Sequence, residues 1–340
     1  MRRLGKKMAI EDEVQAFRDA LVGWFEREAV DYPWRRTSDP YAVLVSEVML
    51  QQTRVAVVFG KGYYERFLQS FPDVHTLANA DEAHFLRAWE GLGYYRRARQ
   101  LQATARAVVE LWNGEFPREE KDLRSLPGIG PYTAAALRSF AFDAASPLVD
   151  GNVQRVFARL YNDDRPVDQT EGIRVAWQRA GMLLDEKRPR SYNAGLMELG
   201  QKICRVGRPD CLLCPVSRWC TAVEPGMLPV KAKKTQITEL EERAILAIDH
   251  HQRCLMAPES GGRKQGFWRL PFREEMDGGN QNDENLLWQG NYSITRYKVL
   301  LSIYDGAGQQ AKDGECWIPL EELENFPISA PYRKALRQLL

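Results

Sequence analysis

The spacing of apolar residues changes once along this 340-residue chain and divides it into two parts. Between residues 11 and 224, apolar residues recur at intervals of three and four, which is the period of amphipathic helices. Proline or glycine with polar neighbours separates these runs. Beyond residue 239 the apolar runs are short and β-type, with loops rich in glycine and asparagine between them. The pattern predicts an all-α domain followed by a smaller α+β domain.

Composition indicates where the two parts meet. We expect a helical domain over residues 8–224, a linker over 225–238 that contains prolines and a lysine cluster, and an α+β domain over 239–340 that ends in a helix. The loop EEMDGGNQNDEN, residues 274–285, is expected to be mobile. A length of 340 residues exceeds that of most single domains, which agrees with two.

Charge and hydropathy bound the location and the partners. No stretch of about 18 apolar residues is present, and acidic residues follow the basic start MRRLGKK where a signal peptide would be apolar. We therefore expect a cytoplasmic protein without a membrane partner. The net charge of +1 combines +5 over residues 1–236 with −4 over 237–340. The basic first part suits nucleic acid, although an ordinary solvated surface would have the same charge.

Four of the six cysteines lie within 17 residues, in the order Cys204, Cys211, Cys214 and Cys220. In a cytosolic chain such a cluster indicates metal ligation rather than disulfide bonds. From the residues alone, four thiolates suit zinc and a [4Fe–4S] cluster equally. The other two cysteines are expected to be buried thiols.

The segment LPGIGPYTAA, residues 126–135, predicts a tight turn between two helices. Gly128 and Gly130 can adopt backbone conformations closed to most residues, and Pro131 suits the first position of the second helix. The backbone N–H groups of such a turn can bind a phosphate oxygen without reading the base sequence. The alternative is a helix corner that binds no ligand.

Two carboxylates are candidates for catalysis. Glu47 lies among apolar neighbours in the helical run YAVLVSEVMLQQT, where burial would raise the pKa of its carboxyl and let it hold a proton near neutral pH. Asp150 follows the apolar residues PLV and precedes another helical run. The alternatives are a surface acid for Glu47 and a helix N-cap for Asp150, a position that aspartate favours.

Four motifs in one order carry a resemblance to a known family. The hairpin, the segment LVDGNVQRV (148–156) and the cysteine spacing resemble the helix-hairpin-helix DNA glycosylase superfamily. The segments SEVMLQQTRV (46–55) and GLGYYRRARQL (91–101) narrow the resemblance to the MutY-type adenine DNA glycosylases. The resemblance is strong over residues 30–225 and weak beyond residue 237.

The resemblance implies a multidomain architecture and a cofactor. The first domain would be an all-α helix-hairpin-helix glycosylase domain, with double-stranded DNA between two helical subdomains. The four cysteines would hold a [4Fe–4S] cluster in a loop over residues 200–222. The second domain would be α+β, Nudix-like and responsible for recognising the lesion. No glutamate-rich helix follows GFWRLPF (266–272), so pyrophosphatase activity is not expected.

The resemblance also implies an activity. Members of the family remove adenine mispaired with 8-oxo-7,8-dihydroguanine (8-oxoguanine) or guanine, after flipping it out of the duplex. Glu47 would protonate the adenine at N7 and Asp150 would stabilise the oxocarbenium-like sugar, while Asn152 would orient the groups. Tyr132 stands where the endonuclease III type has a lysine that forms a Schiff base. We therefore expect a monomeric hydrolase without strong strand-cleaving activity.

Contacts with DNA are implied at five further positions. Gln52 and Tyr94 match the family's residues that wedge into the base stack, and Gly128 and Gly130 match the backbone contacts of the hairpin. Thr295 falls on the serine of the family's Phe-Ser-His lesion-reading motif, whose aromatic residue and histidine are absent here. The alternative for Thr295 is a half-buried strand threonine.

Two other functions stay open at this stage. A related glycosylase that removes mismatched thymine shares a tyrosine at the hairpin, although the run LQQT (50–53) and the appended domain favour adenine. A DNA-binding factor that only senses lesions would have no need of Glu47 and Asp150.

Overall fold

The computed structural model describes residues 2–232, 237–259, 266–273, 285–294 and 296–340, and over residues 2–10 the backbone only. Thr295 and residues 274–284 of the loop expected to be mobile lie outside the described residues. Within those ranges, no helix is long and apolar enough to cross a membrane.

The described secondary structure up to residue 232 is helical, which confirms the prediction from apolar spacing. Prolines occupy the first position of several helices, where their missing N–H removes no hydrogen bond. The α-helices are α1 (Arg2–Glu28), α2 (Pro40–Leu50), α3 (Val55–Gly60), α4 (Tyr63–Ser70), α5 (Val74–Ala78), α6 (Glu82–Ala88), α7 (Tyr95–Trp112), α8 (Glu120–Ser125), α9 (Pro131–Ala136), α10 (Gly151–Leu160), α11 (Thr170–Leu183) and α12 (Pro189–Lys202).

Helix α2 is enclosed on all sides. Asp39 caps it by accepting hydrogen bonds from the N–H groups of Tyr41 and Ala42 at 3.0 and 3.2 Å. Every residue from Tyr41 to Met49 is buried. A helix that is apolar around its whole circumference belongs inside a protein, because it has no face for water. The alternative of a surface position for Glu47 is therefore wrong.

Helices α1, α10 and α12 pack against one another around a common apolar core. Leu21 from α1, Phe157 from α10 and Leu196 from α12 are each at most 1% exposed in this core. Burying a side chain of this size stabilises a fold by roughly 1.5–3 kcal/mol. At Gly200, a Cβ atom would lie 2.7 Å from the Cβ of Asn152. Glycine there lets α12 approach the start of α10 closely.

The C-terminal part contains strands and a final helix, as predicted. Its elements are β1 (Thr238–Leu246), β2 (Arg253–Pro258), β3 (Trp268–Arg269), β4 (Leu286–Ile294), β5 (Tyr297–Asp305), β6 (Cys316–Pro319) and α13 (Ala330–Leu339). One sheet has the order β1-β5-β4, with β1 parallel and β4 antiparallel to β5, and the other has the antiparallel order β3-β2-β6. The fold class of this part is therefore α+β.

Two details of the predicted strands are corrected. The run YSITRYKVLLSIYD is a hairpin rather than one strand, because β4 ends at Ile294 and β5 begins at Tyr297. Strand β1 begins at Thr238, five residues before the apolar run that predicted it, because its first residues are polar and exposed while they pair with β5. Polar residues on an exposed strand give no apolar signal.

The chain forms two compact units that differ from the predicted domains in one segment. The first comprises Met1–Asn79 and Gln100–Lys234, and the second comprises Ala80–Arg99 and Thr235–Leu340. The sequence assigned Ala80–Arg99 to the helical domain because its spacing is helical. Spacing reveals the type of an element but not the partner it packs against. The domain boundaries at residues 224 and 239 stay a prediction.

Candidate active site

Glu47 is held inside the helical unit beside a tyrosine. Its side chain lies on α2 and the residue is 5% exposed. Burial raises the pKa of Glu47 to about 7; a hydrogen bond donated by Tyr132 lowers it in part, and the charge of Asp150 raises it. The Tyr132 hydroxyl lies 2.6 Å from Oε2 of Glu47. The carboxyl can therefore hold a proton near neutral pH and give it to a bound group.

Asp150 caps α10 and lies in the same site. Its Oδ1 accepts a hydrogen bond from the N–H of Val153 at 2.7 Å, and its Oδ2 accepts one from Nδ2 of Asn152 at 2.8 Å. Burial raises the pKa of Asp150, while these two hydrogen bonds and the charge of Arg155 oppose the rise. An N-cap role and a catalytic role for Asp150 are therefore compatible, because a carboxylate that accepts these two hydrogen bonds can still carry its negative charge.

A buried arginine fixes the orientation of Asn152. Nη2 of Arg155 donates to Oδ1 of Asn152 at 2.9 Å and to the carbonyl oxygen of Gly200 at 2.7 Å. Since Oδ1 of Asn152 accepts from the arginine, its Nδ2 faces Asp150 and can only donate. A fixed chain of hydrogen bonds therefore runs from Arg155 through Asn152 to Asp150 at the start of α10.

Tyr132 donates a hydrogen bond to Glu47 and lies close enough to Asp150 to be affected by its charge. It is the second residue of α9, and burial together with the charges of Glu47 and Asp150 raises its pKa well above the usual value of tyrosine. The hydroxyl is therefore neutral and donates to Glu47. The structure brings together Glu47, Tyr132, Asp150 and Asn152, as the sequence predicts.

A cavity of about 250 Å³ opens beside Glu47. Its lining is largely apolar and aromatic, and it includes Tyr32, Trp34, Val43, Leu50, Phe140 and Met197. The cavity is somewhat smaller than the roughly 300–1,000 Å³ of drug-sized ligand sites. Its volume suits a ligand with a single flat ring system. The opening gives the proton of Glu47 access to a small bound group.

A second buried carboxylate lines this cavity and is ionised. Glu198 pairs with Nη2 of Arg35 at 2.6 Å and with Nζ of Lys202 at 3.0 Å. Burial alone would raise the pKa of Glu198, but the hydrogen bonds and charges of these two cations outweigh it and lower the pKa. One cavity therefore holds one carboxyl that keeps its proton and one that loses it.

Sequence reasoning missed Trp34, Arg35 and Glu198. The signals were present, since Glu198 lies in an apolar helical run as Glu47 does, and Trp34 and Arg35 lie in a proline-bounded loop. The pairing of Arg35 with Glu198 spans 163 residues, so no local spacing indicates it.

The hairpin forms as predicted, but only one of its glycines needs to be glycine. Gly128 has a φ of 76°, and a Cβ atom there would lie 2.8 Å from the Cβ of Gln100. Gly130 has a φ of −89° and a ψ of 179°, which any residue adopts, and a Cβ atom there would meet nothing within 4 Å. The expectation of a special backbone at Gly130 is wrong.

Gln52 and Tyr94 have the backbone strain expected of functional positions. Their φ values are 58° and 50°, in the left-handed region that side chains disfavour. Both are exposed, Tyr94 by 43%. Exposed side chains on a strained backbone are suited to contact a ligand.

Comparison with known proteins identifies the family. The family described as HhH-GPD superfamily base excision DNA repair protein matches residues 45–179. Adenine DNA glycosylase of Mycolicibacterium smegmatis is 37% identical over 209 residues, which cover 61% of this chain and 70% of that protein. The chain belongs to this superfamily, in its MutY-type adenine DNA glycosylase family.

Other relatives agree with this membership. Human adenine DNA glycosylase is 41% identical over 271 residues, which cover 76% of this chain and 49% of that protein. The chain spans about half the length of the human, mouse and Arabidopsis relatives. A thermostable thymine-DNA glycosylase structure, 28% identical, matches with a TM-score of 0.57 over 63% of this chain and 97% of that one.

The four clustered cysteines have the composition of a metal site. Burial raises the pKa of Cys214 to about 11, and the charges of the thiols of Cys204, Cys220 and Cys211 add to the rise, so the four lie near one another. Among the described residues, no group of three or more His, Cys, Asp or Glu side chains has the arrangement of a bound metal. Four thiols close together are ligand types that suit a metal ion or an iron–sulfur cluster.

A buried arginine supports the fit of these cysteines to an anionic group. Nη1 of Arg159 donates to Sγ of Cys204 at 3.3 Å, and Arg159 is 2% exposed. Its Nη2 is buried and has no hydrogen-bond partner among the described residues. A buried N–H group left over beside sulfur suits an additional acceptor there. Of the other two cysteines, Cys254 is buried as predicted, whereas Cys316 is half-buried on β6.

Proposed function

We propose that the chain is a monofunctional adenine DNA glycosylase, which hydrolyses the N-glycosidic bond of adenine mispaired with 8-oxoguanine or guanine in double-stranded DNA. The observation that carries the proposal is the buried carboxyl of Glu47, which accepts a hydrogen bond from Tyr132 and has its pKa raised by burial and by the charge of Asp150. The names of the relatives support adenine as the base.

The reaction follows from these groups. The target adenosine leaves the duplex and its base enters the cavity beside Glu47. The proton of Glu47 passes to N7, and the electron pair of the bond between C1′ and N9 leaves with the base. The sugar becomes an oxocarbenium ion, which the negative charge of Asp150 stabilises. Water then bonds to C1′ and releases a proton, so the products are free adenine and an abasic site.

The cavity supports recognition of a purine that presents both a donor and an acceptor. Adenine has an acceptor at N1 and a donor at its amino group, and the site offers the guanidinium of Arg35 beside the carboxylate of Glu198. The aromatic side chains of Tyr32 and Trp34, stacked with ring centroids 4.9 Å apart, supply a flat wall. These groups are fixed by their own pairing, so the base meets a preformed site.

Four cysteines would hold the [4Fe–4S] cluster of the proposed enzyme, with Arg159 donating to Sγ of Cys204. When bound, such a cluster cross-links the loop and supplies no group to the cleavage of the bond. Three basic residues in or near the cysteine loop pair with carboxylates: Lys202 with Glu198, Arg205 with Asp210 and Arg218 with Glu13. We propose that the loop positions Lys202 for the cavity as well as for DNA.

The remaining proposals concern the C-terminal domain and the partners. We propose that the domain is Nudix-like and reads 8-oxoguanine, with Thr295 offering a hydroxyl that donates and accepts. The hairpin backbone at Gly128 and Gly130 would contact phosphate, and Gln52 and Tyr94 would enter the base stack. The enzyme would act as a cytoplasmic monomer on duplex DNA.

Base release from three duplexes tests the proposed substrate. Under single-turnover conditions, we expect release of adenine from A·8-oxoguanine and A·G duplexes and no release of thymine from a T·G duplex. Chromatography of the freed base measures all three. Release of thymine instead would favour the thymine-removing class, to which the thymine-DNA glycosylase structure is a guide. Binding without release from any duplex would indicate a lesion sensor.

Trapping with borohydride tests the monofunctional assignment. Tyr132 has no amine, so no Schiff base with the sugar is expected at this position. After incubation with the A·8-oxoguanine duplex and sodium borohydride, we expect no covalent protein–DNA adduct above a heat-denatured control. A strong adduct, and strand cleavage at the rate of base release, would contradict the assignment.

A further inference from the structure

The loop that presents Tyr94 has an unfavourable backbone. It joins α6 to α7, and Gly91, Gly93 and Tyr94 have φ values of 89°, 66° and 50°. A left-handed φ at a non-glycine residue persists only where the surrounding structure holds it. The conformation of this loop therefore depends on its neighbours.

Some of this support comes from within the segment. Nη2 of Arg97 donates to the carbonyl oxygens of Leu92 and Gly93 at 3.2 and 3.4 Å, and Nε1 of Trp89 donates to Gly93 at 3.2 Å. The guanidinium of Arg97 lies 5.8 Å from the ring centroid of Trp89 and 5.5 Å from that of Tyr94. These contacts stabilise the base of the loop.

The rest of the support comes from the C-terminal part of the chain. The segment Ala80–Arg99 belongs to the same compact unit as Thr235–Leu340. Directly after Tyr94, the ring of Tyr95 packs on that of Phe267 with centroids 3.9 Å apart, and both residues are buried. On the other side of the loop, Glu90 forms an ion pair with Arg333 of α13, whose side chain is 8% exposed.

A close backbone approach adds a third contact. Gly266 has a φ of 84°, and a Cβ atom there would lie 3.0 Å from Nη2 of Arg99 and 3.5 Å from Cδ1 of Leu86. Only a residue without a side chain allows this approach without displacement. Contacts from two separate stretches of the C-terminal part, Gly266–Phe267 and α13, therefore flank the loop.

We propose that the C-terminal domain positions the Tyr94 loop, and that Glu90, Tyr95, Phe267 and Arg333 are the positioning residues. The inference rests on the proposed function, since it concerns Tyr94 as the residue that enters the base stack. The domain proposed to read the lesion then also affects the rate at which the opposite adenine is extruded. Loss of these contacts should slow extrusion while leaving the chemistry of Glu47 and Asp150 intact.

The first test is Glu90→Gln in the full chain, with Glu171→Gln as the matched control. Glu171, on the exposed face of α11, pairs with Arg174 at 2.7 Å and with Arg165 at 3.7 Å, so both variants lose one carboxylate and its ion pairing. In Glu90→Gln we expect adenine removal from the A·8-oxoguanine duplex to slow about tenfold, since misplacement by about 1 Å can cost up to about 100-fold. The control should keep the wild-type rate.

A fluorescent base separates positioning from a general loss of structure. With 2-aminopurine beside the target adenine, the rise in fluorescence on extrusion should slow in Glu90→Gln by the same factor as base removal. Binding to a duplex with a tetrahydrofuran abasic analogue, which has no base to extrude, should stay within about threefold of wild type. Weaker binding to this duplex by the same factor would contradict a positioning role.

The second test is Phe267→Leu, with Phe326→Leu as its control. Phe267 contacts Tyr95, whereas Phe326 packs on Trp268 inside the C-terminal domain at 5.3 Å. In the free protein, we expect faster hydrogen exchange over residues 89–97 in Phe267→Leu and in Glu90→Gln, and wild-type exchange there in both controls.

The outcomes distinguish this inference from the proposed function. Wild-type base removal in Glu90→Gln, or an equal loss in Glu171→Gln, would overturn the positioning role and leave the glycosylase proposal standing. If the wild type released no adenine, the proposed function would fail, while hydrogen exchange over residues 89–97 would still report whether the C-terminal part holds the loop. Unchanged exchange in both variants would overturn the inference by itself.

Discussion

Replacing Glu47 by glutamine is expected to abolish adenine removal and to make the folded protein more stable above pH 7. Glutamine keeps the shape of the side chain, and its carbonyl oxygen can still accept the hydrogen bond from Tyr132. It has no acidic proton to give to N7. General acid catalysis contributes about 10²–10⁴-fold to such reactions, so we expect the rate of adenine removal to fall by about 10²–10⁴-fold.

The gain in stability follows from the raised pKa. Between pH 4.5 and the folded pKa of about 7, an unfolded glutamate loses its proton while Glu47 in the fold keeps it. Stability is therefore fully present below the unfolded value and declines as pH rises toward 7. A pKa raised from 4.5 to about 7 corresponds to roughly 3 kcal/mol of destabilisation above pH 7. Glutamine removes this destabilisation, and the free-energy cost of burying its amide offsets part of the gain.

Urea unfolding at pH 5 and pH 8, with Glu198→Gln as the control, measures the effect. Glu198 has a lowered pKa and pairs with Arg35 and Lys202, so its loss leaves two cations without their carboxylate. We expect Glu198→Gln to destabilise the protein at pH 8 by about 1–3 kcal/mol, and Glu47→Gln to stabilise it there by about 2 kcal/mol. The wild-type rate should also fall as pH rises through about 7, since Glu47 then loses its proton.

An equally active Glu47→Gln variant would end the assignment of the acid. A variant that is inactive and less stable at pH 8 would show instead that burial does not raise the pKa of Glu47 in the fold. The two measurements together therefore test both the identity of the acid and the reason it keeps its proton.

Local patterns predicted most of the fold and singled out Glu47 and Asp150 as candidate carboxylates. The helical period before residue 224, the strands after it and the turn at Gly128 are properties of neighbouring residues, which a sequence displays directly. The burial of Glu47 follows from an apolar helix without a polar face, which the run YAVLVSEVML also displays. A surface position for Glu47 stayed open at first because a single acidic residue is usually exposed, and only the apolar character of the whole helix excludes it.

The features that the sequence could not predict depend on contacts between residues that lie far apart along the chain. The pairing of Arg35 with Glu198 and the packing of Tyr95 on Phe267 join residues more than 160 positions apart. The close approach of Gln100 to Gly128, which Gly130 lacks, joins residues 28 positions apart. The β4–β5 hairpin escaped notice because no glycine, asparagine or proline lies in ITRYK, so the strand pattern continues through the turn.

Replacing Asp150 by asparagine is expected to keep the fold and DNA binding while reducing adenine removal by about 1,000-fold or more. Asparagine is as good an N-cap as aspartate, so α10 should form with its N–H of Val153 satisfied. The negative charge that opposes the oxocarbenium ion is lost. Loss of a negative charge also removes repulsion of phosphates, so binding should be equal or tighter.

The hydrogen-bond chain from Arg155 makes the effect of Asp150→Asn more severe than the loss of charge alone. Nδ2 of Asn152 points at Asp150 because Arg155 occupies its oxygen. An asparagine at 150 that accepts from Val153 would present its own NH₂ to Nδ2 of Asn152, and two donors cannot bond. With the cap kept, Asn152 must turn and leave Arg155 without its acceptor. This change disturbs the position from which the sugar is stabilised.

The pH dependence of the residual rate distinguishes this account from simple misfolding. The charge of Asp150 raises the pKa of Glu47, so without it Glu47 should lose its proton at lower pH, and the alkaline limb of the rate profile should move down. Asp39→Asn, the same substitution at the N-cap of α2, should leave both the limb and the rate unchanged, since Asp39 accepts only from Tyr41 and Ala42 among the described hydrogen bonds of its side chain. A slow Asp150→Asn variant whose limb stays in place would mean that the two carboxylates do not sense one another, and the shared site would then need another explanation.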